Sequence, residues 1–248
     1  VSSVLITGAS GMLGRHLKDR FYDADVILGR AELDLTNIEK TKSWIKNKYY
    51  STIIHAAAFT DLDYCENNKK RTMILHASIV DTLNNFCDRL IYISTVPVWE
   101  KEQYEENTYF ESKRAGEERT AKRDTNVVVR TNIYGRGGIV GWAHKNLNKG
   151  RAINGYEDVW FNPVHVDQLS HFIKEITEEK TNKPVYTIAG DTMLNKYDFL
   201  KKIAETLELD SSLIAPIETK KQNLLLENPD KTYSLKQGME LIKYDYKN

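Results

Sequence analysis

The 248-residue chain has little cysteine, no long apolar run and no excess of charge of either sign. Two cysteines, Cys65 and Cys87, are too few for a disulfide scaffold, and neither belongs to a CxxC pair. They are expected to pack as small apolar residues in a reducing compartment, without a structural metal. Lys and Arg together number 35, as do Asp and Glu, so no net field favours nucleic acid or an anionic membrane as a partner. No apolar stretch reaches the length of a membrane span, and the first residues run straight into a strand without a basic region or cleavage site. The expectation from these absences is a cytoplasmic protein. No internal repeat or low-complexity tract is present, and the length suffices for one α/β domain with a small lobe or for two small domains.

Short β-branched runs alternate with helix-length amphipathic segments. Strands are expected at Val4–Thr7, Val26–Leu28, Thr52–His55, Leu90–Ser94 and Val127–Arg130. Between them, helices are expected from Met12, from Ile38, over Met73–Phe86 and over Tyr109–Lys122. That order predicts a Rossmann-like, doubly wound parallel sheet. The division expected is 1–135 for a cofactor-binding domain and 136–248 for a small α/β substrate lobe, with some segments of the latter free to return to the sheet. Gly135, Gly137, Gly138 and Gly141 suggest a mobile connection. Beyond it, helices over Val166–Glu179 and Lys196–Leu207 flank a strand, Val185–Ile188, and a short amphipathic stretch over Leu235–Ile242 closes the lobe.

The run Gly8-Ala9-Ser10-Gly11-Met12-Leu13-Gly14 follows the first strand and opens the first helix. Gly8 can take a positive φ, Gly11 lets backbone N–H groups approach a pyrophosphate, and Gly14 lets helix and strand pack closely. A second pattern, Tyr109-Phe110-Glu111-Ser112-Lys113, sets a phenol and an ammonium four positions apart, one turn along the same helical face. A neighbouring positive charge lowers a phenol's pKa, which would make Tyr109 a proton donor or acceptor nearer neutral pH. Ser94 and Thr95 end the fourth strand, where ligands of doubly wound sheets bind, and their hydroxyls are candidates to meet a substrate carbonyl. About twenty residues past the glycines, where a carboxylate usually accepts ribose hydroxyls, stands Arg30, a candidate partner for a 2′-phosphate. This favours NADP, while nearby Asp34 keeps NAD open.

With the glycine motif, Thr95, Tyr109 and Lys113 in this order, the chain resembles the extended short-chain dehydrogenase/reductase superfamily. The segments His55–Glu66, Leu33-Asp34-Leu35-Thr36 and Val129–Gly135 are most similar to the dTDP-4-dehydrorhamnose reductase family. The resemblance implies reduction of a 4-keto sugar nucleotide in dTDP-rhamnose biosynthesis. It makes Tyr109 the proton donor and Thr95 the group orienting the carbonyl, with Lys113 binding the nicotinamide ribose and tuning Tyr109. It further implies that Ser10, Met12 and Leu13 join the glycines at the cofactor, that Asp34 and Leu35 contact adenine, and that Ala56, Ala57 and Ala58 line the cofactor. Thr60, Ser94 and Asn132 become substrate contacts, Asn162–Asp167 resembles the segment near the sugar nucleotide, and a homodimer is implied.

Several positions depart from that family. Val96-Pro97-Val98-Trp99 replaces an acidic and aromatic sequence, and Thr95 and Tyr109 stand only fourteen positions apart, shorter than the family's usual loop. His76 stands where an asparagine commonly supports the active-site helix and is read as a packed or solvated residue. Asn228-Pro229 stands where an arginine and proline often meet the diphosphate. Val96 and Pro97 cannot move protons, which argues against dehydration. A nucleotide-sugar epimerase and a non-catalytic cofactor-binding regulatory subunit stay open as alternatives. Asp61 and Asp63 suit either substrate contact or an ordinary surface turn.

Overall fold

The computed structural model describes residues 3–96, 106–179, 183–219 and 228–247. In chain order the elements are β1 (Val4–Thr7), α1 (Met12–Arg20), β2 (Asp25–Ile27), α2 (Ile38–Ile45), β3 (Tyr50–His55), α3 (Leu62–Asn67) and α4 (Lys69–Met73). A π-helical turn, Ile74–Ser78, leads into α5 (Ile79–Asn84), β4 (Cys87–Ser94), α6 (Thr108–Thr120) and β5 (Val127–Thr131). Then follow β6 (Ile133–Tyr134), α7 (Gly138–Leu147), β7 (Ile153–Tyr156), β8 (Trp160–Phe161), β9 (Val164–His165), α8 (Val166–Glu179) and β10 (Val185–Gly190). The chain closes with β11 (Leu194–Asn195), α9 (Lys196–Thr206), β12 (Ile214–Ile217), β13 (Lys231–Tyr233) and α10 (Leu235–Lys247).

The central sheet has seven strands in the order β13-β10-β5-β4-β3-β1-β2. Strand β1 runs parallel to both β2 and β3, β3 to β4, and β4 to β5. The chain leaves β1 for β2 on one side and returns to β3 on the other, so the topological switch lies between the C-terminal ends of β1 and β3. A parallel sheet covered on both faces needs strands that are apolar throughout. Leu5, Ile6, Ile53, Ile54, Leu90, Ile91 and Val129 accordingly have no exposed surface. Leu5, Ile53 and Leu90 join Leu75, Ile79 and Leu83 in one core cluster.

The chain forms two compact units. The first takes the described residues as far as Arg130 together with those of 170–186; the second takes 131–169 and 187–247. The second has cores of its own, one around Tyr134, Phe161, Phe199 and Ile242 and another around Leu147, Leu200 and Ile214. No described helix is long and apolar enough to cross a membrane, and both cysteines are buried and free.

Three expectations need correction. The helix expected over Met73–Phe86 begins earlier, at α4, and is interrupted by the π-turn, where side chains of His55 and Tyr92 donate to the carbonyls of Leu75 and His76. The glycine-rich connection is in large part helix: α7 starts at Gly138, whose φ of +49° only glycine takes readily. The second unit also contains strands that the alternation did not show, most of them two to four residues long, too short for a period of two to register.

Candidate active site

Where β1 ends, Gly8 has φ +72°, and a Cβ on it would lie 2.7 Å from the backbone of Ala57 beyond β3. Glycine is required there by both backbone conformation and space. A Cβ on Gly14 would lie 2.1 Å from the Gly8 carbonyl oxygen, so α1 packs directly on the turn. Gly11 is the N-cap of α1 in an extended conformation, without a side-chain cap, and the first turn holds no acidic residue. Free N–H groups at a helix start are of the kind that can meet an anion. Ser10 is turned away from them, its Oγ donating to the Leu28 carbonyl. Leu13 is buried and Met12 half-buried.

A cavity of about 270 Å³ continues from this turn. Gly8, Ser10, Gly11, Arg30, Asp34, Leu35, Ala56, Ala57 and Ala58 all line it, together with Phe59 and Leu75. Arg30 is exposed, with its guanidinium 5.5 Å from the centroid of the Phe59 ring. Asp34 is already engaged: Thr36 donates to Oδ1 from both N and Oγ1, at 3.0 and 2.7 Å, and Arg71 pairs with Oδ2 at 2.7 Å. Burial raises the Asp34 pKa, but these hydrogen bonds and the Arg71 charge outweigh it and hold the carboxyl below its ordinary range. Asp34 is thus engaged from within, whereas Arg30 makes no ion pair among the described residues.

Helix α6 starts at the Asn107 cap, whose side chain accepts from the Phe110 N–H at 3.2 Å. Its buried residues include Ser112, Lys113, Gly116, Glu117 and Thr120, a largely polar stripe at helical spacing where an ordinary helix would bury leucines. Burial pushes the Tyr109 pKa up to about 12, with the nearby Thr95 side chain acting against it. This reverses the lowering expected from Lys113, because desolvation of the phenolate dominates. Burial also pushes Lys113 down to about 8, against the charge of Glu117; its Nζ donates to the Ile93 carbonyl at 2.9 Å and lies 5.0 Å from the Tyr92 ring centroid.

The other expected residues are placed as follows. Ser94 is buried and its hydroxyl donates to Glu117 at 2.5 Å, which fixes α6 to β4 instead of offering that hydroxyl to a ligand. Glu117 also pairs with Arg130 at 2.6 Å. Thr60 is exposed just before α3, whose N-cap is Asp61, accepting from the Tyr64 N–H at 2.8 Å. Asn132 belongs to the second unit, and its carbonyl accepts from the Val164 N–H at 2.9 Å. The Asn162–Asp167 segment spans β9 in that unit, and Asn228 takes φ +48°. Val96 is buried; Pro97, Val98 and Trp99 lie outside the described residues.

Sequence reasoning gave no role to His55, Tyr92, Glu117 or Arg130, and His76 is packed, one of the two readings given for it. Glu117 was within reach of sequence reasoning, since it follows Lys113 by four positions on the same face.

A glycine cradle at the switch point of a parallel sheet, with a threonine, a tyrosine and a lysine near the end of β4, defines a nucleotide-binding α/β protein of the dehydrogenase/reductase kind. Residues 2–240 match the family model described as RmlD substrate binding domain. The chain belongs to that family. It is 32% identical over 154 residues to a dTDP-4-dehydrorhamnose reductase of Streptomyces griseus, a match covering 54% of this chain and 51% of that protein. Its fold matches the crystal structure of a dTDP-4-dehydrorhamnose reductase from Clostridium acetobutylicum ATCC 824 with a TM-score of 0.88 at 22% identity, over 99% of this chain and 100% of that one. The dTDP-4-dehydrorhamnose reductase from Bacillus anthracis str. Ames, solved in complex with NADP, matches with a TM-score of 0.82 at 22% identity, over 97% and 98% of the two chains.

Proposed function

We propose that this protein uses NADPH to reduce the 4-keto group of a nucleotide-linked deoxysugar. The observation that carries the reading is Tyr109 standing one helical turn before the buried Lys113, whose Nζ is held on the Ile93 carbonyl at the end of β4, next to Ser94 and Thr95. The chain's own groups suit the cofactor: the cradle has no room for side chains at Gly8 and Gly14, the N-terminus of α1 is uncapped, and Arg30 is available to a 2′-phosphate. The names of the relatives support the same substrate class.

The glycine turn and the cavity lined by Arg30 would hold NADPH, whose nicotinamide would supply a hydride for the carbonyl carbon. The protein manages the oxygen. Thr95 and Tyr109 aim two hydroxyls at the carbonyl oxygen, polarise it and hold it in place. With a pKa near 12, Tyr109 carries its proton at neutral pH, and it passes that proton to the oxygen as negative charge develops, leaving a hydroxyl on the sugar and a phenolate on the enzyme. The ammonium of Lys113, one turn along α6, stabilises the phenolate until solvent returns a proton. In this reading the glycine turn and the cavity beside it bind cofactor, and Thr60 and Asn132 are substrate contacts. The proposal extends to a cytoplasmic homodimer: buried free thiols suit a reducing compartment, and the family resemblance implies the pairing.

The test is loss of NADPH absorbance on mixing the protein with a dTDP-4-keto-6-deoxy sugar, beside a Tyr109→Phe variant. Stoichiometric oxidation is expected, falling about 10²- to 10⁴-fold in the variant while NADPH affinity stays within about twofold. Cofactor binding without consumption would overturn the reductase in favour of an epimerase or a regulatory subunit.

A further inference from the structure

The π-turn carries a buried histidine for which the reaction above has no role. His76 has no exposed surface. Its Nε2 accepts from the Phe59 N–H at 2.9 Å, which places the ring proton on Nδ1. Nδ1–H then donates to Ser112 Oγ, 2.8 Å away, and Ser112 Oγ–H donates to the Tyr109 carbonyl at 2.8 Å. Every donor in this chain points the same way, from the Phe59 backbone to the Tyr109 backbone. The imidazole also meets the Tyr109 ring edge-on, with centroids 5.8 Å apart and planes at 87°.

The two ends of the chain are functional surfaces. Phe59 lines the cavity and carries Arg30 on its ring; Tyr109 is the proton donor. The turn between them is pinned from outside the helix. His55 Nε2–H donates to the Leu75 carbonyl at 3.0 Å and Tyr92 Oη–H donates to the His76 carbonyl at 2.8 Å, satisfying carbonyls in a turn where regular α-helical bonding is interrupted. Gly116 completes the fit, since a Cβ there would lie 2.2 Å from both the His76 carbonyl oxygen and the Tyr92 hydroxyl. At Gly116, therefore, the backbone of α6 rests directly on the π-turn.

We propose that His76 is a positioning residue: its two ring nitrogens couple the cofactor-cavity wall to Tyr109, and the Ser112 link sets where the phenol stands. The inference rests on Tyr109 being the proton donor. The two links are separable. Ser112→Ala removes only the link to α6, His76→Phe removes both, and His76→Gln restores an acceptor for the Phe59 N–H without the imidazole donor.

Three readouts apply to each folded variant: NADPH affinity by fluorescence, kcat with the keto sugar, and the resonance of Cζ-labelled Tyr109, assigned by its loss in Tyr109→Phe. Ser112→Ala is expected to lower kcat about tenfold to a hundredfold with NADPH affinity within about twofold, since small misplacements of a reacting group cost rate. His76→Phe is expected to lower both, and His76→Gln to recover NADPH affinity but not kcat. The Tyr109 resonance moves in Ser112→Ala and His76→Phe, while that of Tyr134 stays. Variants that melt earlier yet keep wild-type kcat, NADPH affinity and Tyr109 resonance would overturn the proposal. Should the wild type bind NADPH without reducing the keto sugar, the reductase reading falls, while the NADPH affinities and the Tyr109 resonance still decide the role of His76.

Discussion

Around Gly8–Gly14 the groups offered to a ligand are backbone N–H groups, held in place because nothing larger than hydrogen fits at two of the glycines. Along α6 the buried polar groups are side chains, each held by others: Ser112 by His76, and Glu117 by Ser94 and Arg130. A backbone cradle is indifferent to most neighbouring substitutions and fails only where a Cβ collides. A buried polar stripe depends on every member, because each unpaired group carries its full desolvation cost. The two regions belong to one structural unit and answer different perturbations.

The largest expected effect is on the cradle. Gly14→Ala places a methyl 2.1 Å from the Gly8 carbonyl oxygen, and the shift needed should cost about 3 kcal/mol, the upper end for overpacking. Urea unfolding measures that cost, and NADPH fluorescence should show binding lost; unchanged values for both would mean that the turn relaxes freely.

Acid should act on the histidine side instead. Burial is the main force holding His55 at about 4, from an ordinary 6.5, and it holds His76 well below 6.5. The unfolded chain therefore takes up these protons first as pH falls, and stability present above about 6.5 drains away towards pH 4, for His55 by up to about 3 kcal/mol. Denaturation midpoints measured across that window should fall with pH, and less steeply in His55→Gln.

Within the active site, base should act through Lys113 before Tyr109. Lys113 loses its proton at about 8, whereas Tyr109 keeps its own to about 12, so kcat should fall as pH rises through about 8. A profile flat beyond that would show that the Lys113 charge is not needed, and Lys113→Met should lack the limb. The smallest effect separates cofactors. Arg30→Ala should weaken NADPH about tenfold, the scale of one charge-assisted contact to phosphate, and leave NADH unchanged in direct titration.

Much of this architecture could be read from the order of residues. Helix α8 runs over Val166–Glu179 and strand β1 over Val4–Thr7, the ranges expected from periodicity alone. Those segments carry strong patterns because they face large cores. The π-turn did not stand out, since one extra residue in a helical turn leaves the apolar spacing nearly intact while moving two carbonyls onto His55 and Tyr92. Ser94 and Thr95, adjacent and chemically alike, were paired as ligand contacts. Only the folded strand separates them, committing Ser94 to Glu117.

The sequence by itself determined the parallel α/β class, the glycine turn and the presence of Tyr109 and Lys113 on one helical face, because these follow from local conformational limits and from helical and strand periods. Tertiary structure alone decided the protonation of Tyr109 and Lys113, the tautomer of His76 and the pairing of Asp34 with Arg71. The reason is physical: desolvation and hydrogen bonding act between groups 37 positions apart, as Asp34 and Arg71 are, and no local pattern encodes which of them will meet.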